Sequence, residues 1–503
     1  MISGHPAASP WADKKMPSLF RWTLRRGTVL TEAERQTAHY IIGAPSAGKS
    51  RHMESLIKQD IEAGLGVGVV DVAGGLYERL VAWLAARPHL WDRVVLIDPQ
   101  HPDYIVRINP LATITGLKSY RSSEFFRSMM VELWDVDVDE APRMSWAMAN
   151  AFQAMSALGL TLVDLRDFLL SKPYRESQLA RLPPELANIR QYFATEFGRA
   201  MGGSYAFSLP MLSRTGPLTF DIDIRLMHAG AESLDFRQAM DEGLIVLVNL
   251  PKGALSPETS NLVAAFLVAR FQQAAIARAD TSVDDQGRRR PFYLYLDEFQ
   301  NYVTSNIINI LAESRQFKLR LTMANQYLEQ LPDKLRSGVL ATSGVISCLR
   351  VGFEDARVLA PVIFPRADYF TVDQLKVRSV GSGLAASVLG EWERQPLGWD
   401  GLAQVLANQP NRSVWIRRKG PHPPIHLTTL DMPDISMTSQ LEERIRAMRE
   451  HCGRRFGIPR DQALRELMAQ EEARAALRVA AKTRDTDKPK RPRGRPRKKP
   501  ITE

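Results

Sequence analysis

Residues 43–50 read GAPSAGKS, between the apolar run HYII at 39–42 and the helical pattern RHMESLIKQDIEAG at 51–64. The order is strand, tight loop, helix, and the loop satisfies G-x-x-x-x-G-K-[ST], a pattern that cradles phosphate. Gly43 and Gly48 let the backbone wrap an oxyanion, with Ala44, Pro45, Ser46 and Ala47 spanning the distance between them. Loop N–H groups and the helix N-terminus supply positive potential there. Lys49 is expected at the β- and γ-phosphates and the Ser50 hydroxyl at a Mg²⁺ ion, so ATP and Mg²⁺ are the expected cofactors.

On the C-terminal side, GVGVVDV at 66–72 and RVVLID at 93–98 are short β-branched runs separated by the helical GLYERLVAWLAARP at 75–88. Strands alternating with helices predict an α/β fold with a largely parallel sheet. From 115 to 235 the pattern turns helical, with a capping pair at Thr161 and Asp164 ahead of LRDFLL, which predicts an inserted all-α subdomain. Strand character returns at GLIVLVNL (243–250) and, after a long apolar helix at 262–277, recurs at PFYLYLDEF (291–299), LRLTMANQ (319–326), VISCLRVG (345–352) and SVWIRRK (413–419). A capping box at Ser439 and Glu442 opens a helix, GIP at 457–459 breaks it, and a second helix runs from Asp461 to about Lys482. The expected division is a lead-in at 1–35, core at 36–114, insertion at 115–235, core again at 236–433, C-terminal helices at 434–482, and a disordered basic tail at 483–503.

A phosphate loop needs an acidic partner at the end of a buried strand, and FYLYLDEF supplies Asp297 and Glu298. Asp297 is expected in the Mg²⁺ shell, and Glu298 as the group that orients and deprotonates the attacking water. Gln326, after LRLTMAN, reads as a γ-phosphate or water contact or as a turn glutamine. Arg315 reads as an arginine finger acting on a neighbouring subunit or as a solvated helix arginine.

The motif order GAPSAGKS, LIDPQHPDYIVRINPL, GLIVLVNLPKG, FYLYLDEFQNY, LAESRQFKLRLTMANQYLEQL and RVGFEDARVLAP resembles the HerA/FtsK-class ATPases, most closely the TraG-like conjugative coupling proteins of type IV secretion, over about 38–430. The resemblance implies a RecA-like core with an inserted all-α domain, a homo-hexameric ring and ATP-driven passage of DNA through its channel. It places Lys49, Ser50, Asp297, Glu298, Arg315 and Gln326 on the family's Walker, finger and sensor positions. Two features depart from the pattern: coupling proteins usually carry N-terminal transmembrane helices, and DVAGGLYERL stands where an acidic Asp-Pro-Lys-Gly-Asp string is more usual.

The 503 residues carry a formal charge of +10, yet 488–500 (KPKRPRGRPRKKP) alone holds eight basic residues and no acid, leaving +2 for the rest. Within it PRGRPRKK resembles an AT-hook. Gly494 lets the backbone enter a narrow minor groove, Pro496 keeps it extended, and Arg493 and Arg495 follow the groove floor, with Arg497, Lys498 and Lys499 on phosphates. A generic polybasic tail is the plainer alternative. No apolar run approaches the length of a membrane span, and no leader is read at the N-terminus, so a cytoplasmic protein without integral membrane contact is expected. Cys348 and Cys452 give no disulfide framework, and His422 and His426 read as ordinary surface residues. The expected function is a DNA-stimulated ATPase that translocates DNA, with a relaxase, nuclease or secretion channel as partner. Alternatives are an ATP-dependent scaffold on AT-rich DNA and, less favoured by the tail, a motor that moves protein.

Overall fold

The computed structural model describes residues 30–31, 33–134, 141–198, 205–280, 289–303, 316–380, 387–420, 422–429 and 435–486. Their strands are β1 (His39–Ile42), β2 (Gly66–Asp71), β3 (Val94–Ile97), β4 (Tyr104–Ile105), β5 (Ile245–Asn249), β6 (Phe292–Asp297), β7 (Leu319–Asn325), β8 (Val345–Cys348), β9 (Thr371–Val380), β10 (Ser387–Pro396), β11 (Ser413–Arg418), β12 (Ile425–Thr428) and β13 (Ile458–Pro459). Nine form one sheet in the order β12-β11-β8-β1-β7-β6-β2-β5-β3, while β9 pairs with β10 and β4 with β13. From β8 to β3 every neighbouring pair is parallel; β11 and β12 extend the sheet antiparallel.

The parallel strands HYII, GVGVVD, IVLVN and FYLYLD are buried from end to end, as a sheet covered on both faces requires. Alternate residues feed different layers: Phe292, Leu294 and Leu296 join one apolar cluster, and Tyr293 and Tyr295 join the other. The fold is therefore α/β with a largely parallel sheet, and between β4 and β5 the described residues form helices and no strand. Thr161 and Asp164 make the reciprocal capping bonds expected of them.

Helices Ser439–Phe456 and Arg460–Thr486 follow. The first is capped not by Ser439 but by Thr438, whose hydroxyl accepts the Leu441 N–H at 3.3 Å; two adjacent hydroxyls compete, and the extended backbone of Thr438 wins. The second starts at Arg460, whose N–H bonds the Asp103 carbonyl at 2.7 Å. It then runs along the helical region, where buried Arg474 meets Asp164. His426 is no ordinary surface residue: it stacks on Trp415, centroids 4.5 Å apart, and bonds Ser413 at 2.6 Å. Cys348 and Cys452 are unpaired and buried. No helix among the described residues is long and apolar enough to cross a membrane.

Candidate functional site

Strand order assembles the site. β1 and β6 are far apart in sequence, but in the sheet only β7 separates them. Ile42 pairs with Asn325 and Asp297 with Ala324, so the residues that follow β1, β7 and β6 leave the same edge at the same level. This is the carboxyl edge, where open α/β sheets bind ligands. Lys49, Gln326 and the Asp297–Glu298 pair are brought together there.

The loop 43–48 is shaped by close backbone approach. A Cβ on Gly43 would lie 2.8 Å from the Leu349 Cβ, and Gly48 has φ +105°, a conformation that costs side chains energy. Ser46 adopts φ +62°. Ala44 donates its N–H to the Arg350 carbonyl at 2.8 Å, and the Ala47 carbonyl accepts the Arg412 N–H at 2.9 Å. The residues just after β8 and just before β11 thus hold the loop from one side, while helix Lys49–Glu62 continues from the other. Pro45 and Ser46 are exposed, Ala44 and Ser50 half-buried, and Lys49 buried.

Lys49 Nζ lies 3.1 Å from Asp297 Oδ1 and 2.5 Å from Glu298 Oε1. Glu298 Oε1 also accepts from Gln326 Nε2 at 2.9 Å, and its Oε2 accepts from Gln300 Nε2 at 2.9 Å. The Glu298 backbone sits in the left-handed region at φ +50°, where Asn301 Nδ2 holds its carbonyl at 3.0 Å. Tyr302 donates its hydroxyl to the Asp297 carbonyl at 2.8 Å. Burial pushes the Asp297 carboxyl above its ordinary value, with Lys49 opposing and Asp71 and Glu298 adding to the rise. For Glu298 burial acts upward too, but Lys49, Gln300 and Gln326 outweigh it and hold the carboxyl below the usual range. One carboxylate is thus driven toward the neutral form and its neighbour toward the charged one.

Several contributors were not singled out from sequence. Asp71, at the end of β2, is fully buried, and its two oxygens accept the N–H groups of Ala73, Gly74 and Tyr77 at 2.8–2.9 Å. In DVAGGLYERL this acid is consumed in starting a helix. Buried Asn325 accepts the Tyr40 hydroxyl at 2.7 Å and ties β7 to β1. Gln300 and Asn301 were legible only as residues following a strand. Arg315 and the tail positions Arg493, Gly494, Arg495, Pro496, Arg497, Lys498 and Lys499 lie outside the described residues.

No protein-family model and no curated protein matches the chain. Solved structures do. The unbound bacterial conjugative coupling protein TrwBdeltaN70 is similar with a TM-score of 0.50 at 12% identity, over 79% of this chain and 86% of that one. Plasmid coupling protein TrwB in complex with ADP and Mg²⁺ gives 0.50 at 12%, over 81% and 88%. VirB4 of Thermoanaerobacter pseudethanolicus gives 0.46 at 13%, over 79% and 90%. The chain shares with the coupling protein the RecA-like arrangement of a mostly parallel sheet and helices.

Proposed function

We propose that the protein is a Mg²⁺-dependent ATPase that moves DNA as a cytoplasmic homo-oligomer, in the manner the coupling-protein resemblance implies. The observation that carries the reading is the convergence of Lys49, Gln326, Asp297 and Glu298 on three adjacent strand ends. A triphosphate in the loop 43–48 offers Lys49 a new anionic partner, which releases it from Glu298. Among the described residues both hydrogen bonds to the Asp297 carboxylate are accepted by Oδ1, which leaves Oδ2 as a hard-oxygen donor that suits Mg²⁺. Asp297 and the Ser50 hydroxyl would hold the ion, which supplies charge neutralisation at the phosphates when bound. Freed Glu298, still bonded by Gln300 and Gln326, accepts a proton from water. Gln326 remains beside it to orient that water.

The helical residues between β4 and β5 and the fold shared with a conjugative coupling protein support DNA as the substrate. Arg315 is assigned as the finger toward a neighbouring subunit, in a ring of six, and the PRGRPRKK tail as the tether to AT-rich DNA. A relaxase, nuclease or secretion channel would receive the work. The decisive experiment measures ATP hydrolysis with and without single- and double-stranded DNA, on protein whose mass is determined with ATP bound. Stimulation by DNA in a ring-sized species is expected, together with displacement of a roadblock on DNA. Hydrolysis indifferent to DNA in a monomer overturns the motor reading; ATP-dependent assembly on DNA without displacement replaces it with a scaffold.

A further inference from the structure

The Glu298 carboxylate is held by more than the cation and the strand-end glutamine. Gln300 Nε2 donates to Glu298 Oε2 at 2.9 Å, on the oxygen that neither Lys49 nor Gln326 uses. The other end of the same amide, Gln300 Oε1, is buried and has no hydrogen-bond partner among the described residues. The amide cannot flip to satisfy that oxygen without turning it against a carboxylate, so its orientation is chemically fixed. A buried acceptor without a donor costs free energy, and here it sits beside the group that receives a proton. The short 3-10 turn Phe299–Asn301 that carries Gln300 is anchored by Asn301 N and Nδ2 on the Glu298 carbonyl, so residue and carboxylate move as one unit.

We propose that Gln300 is a positioning residue for hydrolysis: its Nε2 fixes the Glu298 carboxylate in the orientation that takes the proton from the attacking water. The inference rests on the hydrolytic reading above and adds to it a residue that acts through Glu298. Removing Gln300 lowers turnover while nucleotide binding, carried by the loop 43–48, stays as it was.

The test uses the full chain and Mg²⁺-ATP, with DNA present and absent. Gln300→Leu keeps the bulk and removes both polar ends; Gln300→Ala serves if the leucine variant folds poorly. A fall in kcat of about 10- to 100-fold is expected from the loss of a hydrogen bond to a charged group, with KM and the affinity for a fluorescent ATP analogue within twofold. In a Glu298→Gln background, under single-turnover conditions, the same substitution should change the residual rate less than twofold. A purely structural role predicts equal falls in both backgrounds and a lower melting temperature, which overturns the proposal. Wild-type-like kcat in Gln300→Leu, with Glu298→Gln inactive, overturns the proposal and leaves the hydrolytic reading standing. Wild-type protein that releases no phosphate overturns both.

Discussion

Two clusters in this chain each centre on a buried cation shared by two carboxylates. At the strand ends Lys49 faces Asp297 and Glu298 at 3.1 and 2.5 Å. In the helical region Arg474 faces Asp164 and Asp167 at 2.6 and 3.4 Å. Exposure does not separate them, at 7% for Lys49 and 5% for Arg474. Saturation does. Asp164 also accepts the Tyr174 hydroxyl at 3.0 Å and the N–H and hydroxyl of Thr161 at 2.9 and 3.0 Å, while Arg478 reaches Asp167 at 2.5 Å. That cluster has little to gain from a ligand, and it fastens the last helix to the helical region. At the strand ends a compact ammonium is shared by carboxylates pushed in opposite directions, next to a backbone held at positive φ. Lysine suits a place where partners exchange; arginine, with its planar fork, suits one where they do not.

The largest expected effect separates the clusters by function. Glu298→Gln should lower ATP turnover by about 10²- to 10⁴-fold, the usual contribution of a positioned proton acceptor, while the unfolding midpoint stays near that of wild type because Lys49 keeps Asp297. Turnover within threefold of wild type would remove Glu298 from the chemistry. Next, Arg474→Ala should cost about 3–5 kcal/mol of stability, since it leaves the buried Asp164 carboxylate without a counter-charge. Urea unfolding followed by circular dichroism reads the loss, and ATP affinity of the folded fraction should not change. An unaltered midpoint would make this pair no more than surface decoration.

Exchanging the cations sharpens the contrast. Arg474→Lys keeps the charge and loses the fork, so a loss of about 1–2 kcal/mol is expected. Lys49→Arg keeps the charge too, yet the wider head cannot enter the space between phosphate and carboxylates, and turnover should fall as far as in Lys49→Ala. An active Lys49→Arg variant would erase the distinction between a fixed and an exchangeable partner.

The smallest effect is acid sensitivity, distributed over both regions. Burial pushes His52, on the helix after the phosphate loop, down to about 4, and His228, bonded to the Ile108 carbonyl at 2.8 Å, down to about 4 as well. Both stay neutral in the fold, whereas the unfolded chain protonates them below about pH 6.5. Their contribution is complete above that pH and drains as pH falls toward 4. The melting temperature should therefore drop between pH 7 and pH 5, and His52→Asn or His228→Asn should each reduce the drop by on the order of 1–2 °C. Variants whose pH dependence matches wild type would show that neither histidine is held neutral.

What could be read from sequence was local, and what could not depends on which strands became neighbours. GAPSAGKS announces its loop because glycine spacing and the flanking run HYII lie within a dozen residues. Asp297, Glu298 and Gln326 could be nominated as strand ends, but only the order β1-β7-β6 sets Lys49 between the carboxylates. Gln300 gave no signal, because its role is a hydrogen bond set by a 3-10 turn. Arg474 lies in a mixed-charge stretch that looks solvated, and its burial follows from where the helix docks. His426 looked exposed because cross-strand stacking on Trp415 requires knowing the β11–β12 register.

The same strand order governs how the chain comes off the ribosome. His39 in β1 pairs with Thr322 and Val345, and Ala47 is bonded to Arg412. At synthesis speeds of about 5–20 residues per second, β1 waits for tens of seconds before either flanking strand exists. A nascent chain that ends before Leu319 already contains every letter of GAPSAGKS and still has no walls for the loop. If the loop binds nucleotide as proposed, that ligand becomes a folding partner only late in translation, and prematurely terminated products should be unable to compete with the finished protein for ATP.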